Sequence, residues 1–152
     1  MVECAIRKAT RADIPELMIF QIKLAEETEN LKLNADILRD GMTAMFDNPA
    51  KGEYYVAEID NQIVGCHMVT YEWSDWRNGV VYWLQSVYVR EDYRKHGVFR
   101  KMFLNLMNEI RSNPSIAGLR LYVDKTNIRA QQVYAAMGMN GEHYTVFEWM
   151  KS

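Results

Sequence analysis

The chain has little of several things that would place it at once. Of its 152 residues only two are cysteine, three proline and eight glycine, and its longest apolar runs are far short of a membrane span. Cys4 and Cys66 stand singly in strand-like runs without CxxC spacing, and His67, His96 and His143 are scattered. That excludes a disulfide framework and a clustered metal site, and no metal is expected. A net charge of −2 gives no basic footprint, so nucleic acid is not an expected partner. With no secretory N-terminus and no span, the expectation is a cytoplasmic protein with reduced thiols, no membrane association and a small-molecule partner. The length suits a single domain over residues 1–152, and there are no repeats, low-complexity tracts or linkers.

What is present alternates between strand and helix periods. Cys4 to Arg7 reads as a short strand, and Thr10 with Asp13 as a helix start leading into Ile14, Leu17, Met18, Ile22 and Leu24, to about Glu27. Asn34 caps a second helix with the apolar face Ile37, Leu38, Met42, Met45 and Phe46. Glu26, Glu27 and Glu29 form an acidic patch between them, read either as a solvated face or as an attractor for a cationic acceptor. Strands over 53–59 and 63–73 flank the turn Asp60-Asn61-Gln62, and Gly65 marks a bulge or a close backbone approach. Trp73, Trp76 and Trp83 are expected to cluster, as packing or as an aromatic wall for an acceptor. Trp73 and Trp76 also make a homodimer an expectation. A fifth strand is expected over Leu119 to Val123, a helix opened by Asn127 and closed by Gly138, and a final strand over Thr145 to Met150.

The most informative stretch is Leu84-Gln85-Ser86-Val87-Tyr88-Val89, followed by Arg90 to Phe99. A strand passes through a charged, glycine-ended turn into Val98, Phe99, Met102, Phe103, Leu106, Met107 and Ile110 at helical spacing. Such a junction offers unpaired N–H groups and the positive end of a helix dipole, with Arg94, Lys95, His96 and Arg100 around it. It should hold an anion, most naturally phosphate.

Arg94-x-x-Gly97-x-Phe99 after a strand ending Val-x-Val resembles the acyl-CoA loop of the GCN5-related N-acetyltransferases, and Asn127-x-x-Ala130-x-x-x-Tyr134-x-x-x-Gly138 is similar to the family's second motif. The departure is Phe99, where the family usually has a small residue. Its ring fits the apolar stripe with Val98, Met102 and Phe103, which turns it into the core and leaves its N–H to the loop. The element order matches that fold over essentially the whole chain. The resemblance implies an α/β acyl-CoA N-acyltransferase fold, a mixed central sheet flanked by about four helices and splayed at a cofactor cleft.

It also implies a reaction, acetyl transfer from acetyl-CoA to a primary amine by direct attack. The main chain of Val87, Tyr88 and Val89 would pair with the pantetheine arm, and Arg94, Lys95, His96, Gly97, Val98, Phe99, Arg100 and Asn127 would serve the coenzyme. Tyr134 would return a proton to the departing sulfur. Several relatives carry a glutamate in the strand before the loop, where this chain has Trp83-Leu84-Gln85-Ser86, and Gln85 cannot take a proton. The base is then a water chain, Glu72 or the Glu26 to Glu29 patch. Glu26, Glu27, Glu72, Trp83 and Gln85 are the candidate acceptor contacts. A weaker similarity to the diamine acetyltransferases, in Leu24-Ala25-Glu26, Asp40-Gly41-Met42 and Trp76 to Val89, adds a polyamine-like acceptor, beside other small amines and protein or peptide amines. The rival expectation is an acyl-CoA-binding module without turnover, suggested by Phe99 and Gln85 together.

Overall fold

The computed structural model describes residues 3–151. Two compact units divide the chain, the first reaching Leu121 and the second starting at Tyr122.

The first unit holds a mixed five-stranded sheet in sequential order: β1 (Ala5–Lys8), β2 (Glu53–Ile59), β3 (Gln62–Ser74), β4 (Gly79–Val89) and β5 (Ile116–Leu121). Neighbours pair antiparallel through β4, and β4 with β5 is parallel. A parallel pair needs a crossover, here α3 (Val98–Ser112). The tight β2–β3 turn places Asp60 and Asn61 at φ 51° and 62°, the left-handed pair that suits a two-residue hairpin. Gly65 meets both readings of it. The register slips beside it, and a Cβ there would stand 3.1 Å from the Tyr88 carbonyl oxygen.

Helix α1 (Ile14–Glu29) buries Leu17, Phe20, Gln21 and Ala25, one stripe at helical spacing. Its entry is fixed by Asp13, whose carboxylate accepts from the Thr10 N–H at 2.7 Å and from the Arg7 guanidinium at 2.8 and 3.0 Å. Helix α2 (Ala35–Asp47) starts where Asn34 accepts from the Ile37 N–H at 3.0 Å. Leu17, Phe20 and Met42 pack with Tyr54, Val56, Cys66 and Tyr88 on one face of the sheet. Val98 and Met102 of α3 pack with Ala57, Ile59 and Val64 on the other. Fully burying one such large apolar side chain is worth roughly 1.5–3 kcal/mol.

Several expectations are corrected. The acidic patch does not lie between helices: α1 continues through Glu29 and ends at Asn30 in the left-handed region, φ 50°. An asparagine tolerates that conformation, so the helix stops there rather than at the acids. The fifth strand is Ile116–Leu121, earlier than expected, because its register with β4 starts at Val80 opposite Ile116. The tryptophans do not cluster, since a strand turns alternate residues to opposite faces. Trp83 shares a face with Thr70, Trp73 falls on the other and is 63% exposed, and Trp76 sits in the turn at 92%.

The second unit contains α4 (Ile128–Ala136), opened by Asn127, which accepts from the Ala130 N–H at 3.0 Å. It closes with Gly138 at φ 92°, its N–H bonded to the Ala135 carbonyl and the Met139 N–H to that of Tyr134. This is the paired closure that a glycine permits. The expected strand over 145–150 is not formed. Alternation gives a segment two faces but not the hydrogen-bonded neighbour that makes it a strand, and this unit has no other strand among its described residues. Among the described residues, no helix is long and apolar enough to cross a membrane.

Candidate active site

The site grows from an interruption in β4. Its parallel pairing with β5 runs from Val80 to Leu84 and stops opposite Leu121, so residues 85–89 keep β3 on one side and have no β5 partner on the other. A bulge accompanies the stop. Cys66 faces Tyr88 and Met68 faces Gln85, which leaves Ser86 and Val87 together opposite His67, with Ser86 at φ 55°. Gln21, buried in α1, donates to the Ser86 carbonyl at 3.2 Å and to the Cys66 Sγ at 3.5 Å. It holds the bulge from within the core.

Beyond Val89 the chain makes one 3₁₀ turn, Glu91–Tyr93, and then takes left-handed conformations at Lys95, φ 66°, and Gly97, φ 81°. Glycine is needed at 97 for its backbone and not for space, because a Cβ there would meet nothing within 4 Å. As the N-cap of α3 it offers no side-chain acceptor. The first intrahelical bond is Lys101 N–H to the Gly97 carbonyl at 3.0 Å, so the N–H groups of Val98, Phe99 and Arg100 fall in the unsatisfied first turn. Lys95, His96 and Arg100 are exposed around it. Phe99 turns its ring inward beside the Val98 and Met102 cluster, 6.0 Å from the Phe103 ring. An uncapped, cation-rimmed helix start of this kind suits a phosphate.

Arg94 behaves differently from its neighbours. Its Nε donates to the Val89 carbonyl at 2.8 Å and its Nη2 to a Glu27 oxygen at 2.7 Å, while the guanidinium lies 5.2 Å from the Tyr88 ring centre. The Tyr88 hydroxyl donates to the other Glu27 oxygen at 2.8 Å. The arginine and tyrosine bonds hold the Glu27 carboxyl below its usual range, and burial with that same bond pushes the Tyr88 phenol up to about 12. An open cleft of about 620 Å³ adjoins this network, lined by Lys23, Glu27, Tyr88, Arg90, Glu91 and Asp92.

A second polar group lies further along the sheet, on the α1 face. Gln85 donates to the Thr70 hydroxyl at 2.5 Å, Trp83 Nε1 to one Glu72 oxygen at 3.1 Å, and Arg120 to the other at 2.5 Å. Thr70, Trp83 and Arg120 are in register on β3, β4 and β5, so three strands deliver one polar cluster. The structure thus brings Glu72, Trp83 and Gln85 together and places Glu27 apart from them with Arg94, while Glu26 and Glu29 are exposed at the end of α1. Sequence reasoning missed Thr70, Arg120 and Gln21. The last two carried a signal, a polar residue inside an apolar strand or stripe. Asn127 and Tyr134 belong to the second unit, Asn127 as the cap of α4 and Tyr134 on its last turns.

The sequence model of the Acetyltransferase (GNAT) family matches residues 18–139. Among solved structures, a possible acetyltransferase from Clostridium difficile 630 is 38% identical at a TM-score of 0.93, covering 100% of this chain and 99% of its own. An aminoglycoside acetyltransferase from an uncultured soil metagenomic sample, in complex with trehalose, is 18% identical at 0.72, covering 98% and 96%. Glucosamine-6-phosphate N-acetyltransferase from Arabidopsis thaliana is 16% identical at 0.73, covering 98% and 99%. Among curated proteins no relative matches. With a strand edge opening onto an uncapped helix, and a family match over most of its length, this chain belongs to the GNAT acetyltransferase family.

Proposed function

We propose that the protein transfers an acetyl group from acetyl-CoA to a primary amine of a small molecule. The observation that carries this reading is the β4 edge over 85–89, without a β5 partner and leading into the uncapped start of α3. An open edge accepts an extended, amide-bearing arm as a further strand, and a helix start accepts phosphate. The residues present fit the coenzyme on both counts. The main chain of Val87, Tyr88 and Val89 takes the pantetheine, and the N–H groups from Lys95 to Arg100 take the pyrophosphate, with the charges of Lys95 and Arg100 and the imidazole of His96 at its rim. Asn127 keeps a coenzyme role by its place in the second motif.

Acetyl-CoA, when bound, supplies the activated acetyl group. An ammonium acceptor loses one proton before attack; its nitrogen then bonds to the acetyl carbon as the carbon–sulfur bond breaks, and in this second transfer the nitrogen gives up another proton and the sulfur gains one. Tyr134 is assigned the second transfer, because a phenol is a donor at neutral pH. For the first, an alkyl ammonium with a pKa of about 10.4 must be deprotonated. Gln85 has no basic atom, and both Glu72 oxygens already accept bonds from Trp83 and Arg120. Glu72 is therefore read as the holder of those two side chains at the acceptor face, and the proton leaves through water. The acidic end of α1, with Glu26 and Glu29 exposed, favours a cationic, polyamine-like acceptor.

Calorimetric titration with acetyl-CoA tests the reading. Saturable binding is expected, abolished in Gly97→Glu, whose carboxylate opposes the pyrophosphate. In an amine screen Tyr134→Phe should lose about 10²-fold in kcat, and Glu72→Gln should raise the acceptor KM without moving the pH–rate profile. A parent protein that does not bind acetyl-CoA overturns it.

A further inference from the structure

The arginine of the coenzyme loop makes two hydrogen bonds back to the protein from a half-exposed position. Arg94 spans from the loop to the Val89 carbonyl, five residues back, and to Glu27 on α1, with Tyr88 beneath it. Its neighbour Arg90 is likewise occupied, paired with Asp92 at 2.9 Å and lying 5.2 Å from the Tyr93 ring centre. The segment from Arg90 to Gly97 contains only one 3₁₀ turn and two left-handed residues, so little within it fixes where the N–H groups of the α3 start point. Arg94 is the cross-member that ties it to both the end of β4 and α1. Glu27 is what holds Arg94 there, and the Tyr88 hydroxyl aligns Glu27.

We propose that Glu27 is a positioning residue for the coenzyme site, acting through Arg94 to hold the pyrophosphate loop against the β4 edge, and not a contact for the acceptor. This rests on the acetyl-transfer reading above. The loop then binds phosphate through its main chain and its rim cations, while the Arg94 charge is used in bracing. A bidentate fork suits that task, since one guanidinium reaches a carbonyl and a carboxylate in fixed directions.

The test is the Kd for acetyl-CoA, read by calorimetry on the parent and on Glu27→Gln, beside the KM of whichever amine the screen identifies. A charge-assisted bond at a half-exposed site predicts about a three- to tenfold weaker Kd in Glu27→Gln, with kcat at saturating coenzyme and acceptor KM near the parent values. Arg94→Gln should lose a similar factor and the double variant no more than either, because both remove one brace. Tyr88→Phe deletes only the aligning hydroxyl and should show a smaller loss in the same direction, which keeps the inference testable if Glu27→Gln folds poorly. Unchanged acetyl-CoA affinity in these variants, or an acceptor KM that rises while the coenzyme Kd stays fixed, overturns the proposal alone. Absence of acetyl-CoA binding in the parent overturns the acetyl-transfer reading and this inference with it.

Discussion

His67 is the least comfortable residue in the first unit. It is 2% exposed in the middle of β3, its ring stacks on Tyr55 at 4.8 Å, and its Nε2 has no hydrogen-bond partner among the described residues. Burial drives its pKa from 6.5 down to about 4, so the folded protein holds it neutral where the unfolded chain protonates. Its contribution is fully present above pH 6.5 and is lost as pH falls through the folded value, in total on the order of 3 kcal/mol. Urea midpoints should therefore drop between pH 6.5 and 4, and in His67→Phe, which keeps the stack on Tyr55, that part of the slope should vanish. Asp13 and Glu27, both held below their usual range, begin to lose their contributions only as pH falls below the ordinary carboxylate value, 4.5 for Glu27, so the fall between pH 6.5 and 4.5 is that of His67. At this scale much was legible. Gly97, Asn34 and Asn127 act locally, and the inward turn of Phe99 follows from its stripe. The partners of Glu27 were not, because they lie 61 and 67 positions away.

At the scale of elements, the decisive feature is the bulge in β4. A strand that simply continued would carry its β5 pairing past Leu84, whereas the extra residue at Ser86 bends the edge away. Gln21 holds that geometry, so Gln21→Leu should leave the Ser86 carbonyl without this donor and cost about 1–3 kcal/mol of stability. The same variant should weaken acetyl-CoA binding, since the edge it fixes is the one assigned to the pantetheine. Thermal unfolding and calorimetry check the two parts separately, and full stability with full affinity would show that the bulge stands without Gln21. Strand and helix periods announced β2, β3, α2 and α3 nearly to the residue, and β4 over its second half. They did not announce the bulge, which is a matter of register between strands. Nor did they distinguish a segment that merely alternates, 145–150, from one that is paired.

Over the whole molecule the charge balance works against a polyanionic ligand. Net charge is −2, while Lys95, His96 and Arg100 gather at one helix start. Attraction must then be local and short-ranged. Raising ionic strength from about 0.01 M to about 0.1 M shortens the Debye length from roughly 30 Å to roughly 10 Å. Acetyl-CoA affinity should fall a few-fold across that range, as the rim cations are screened, with the remainder carried by main-chain donors. An affinity that rises with salt would mean that the net negative charge dominates and the rim does not.

The sequence by itself determined most of the element types, the final segment over 145–150 excepted, the caps and turns, the glycine-ended junction at Gly97 and the family to which the chain belongs. Each of these is written in short-range chemistry: the period of apolar residues, a side-chain oxygen three residues before an N–H, a glycine where φ must be positive. Only the tertiary structure decided that Glu72, Trp83, Gln85, Thr70 and Arg120 form one cluster, that Gln21 seats the bulge, and that Arg94 is a brace held by Glu27. Those relations depend on strand register and on which helix face meets which strand. Both are set by packing between distant segments, and no local pattern specifies them.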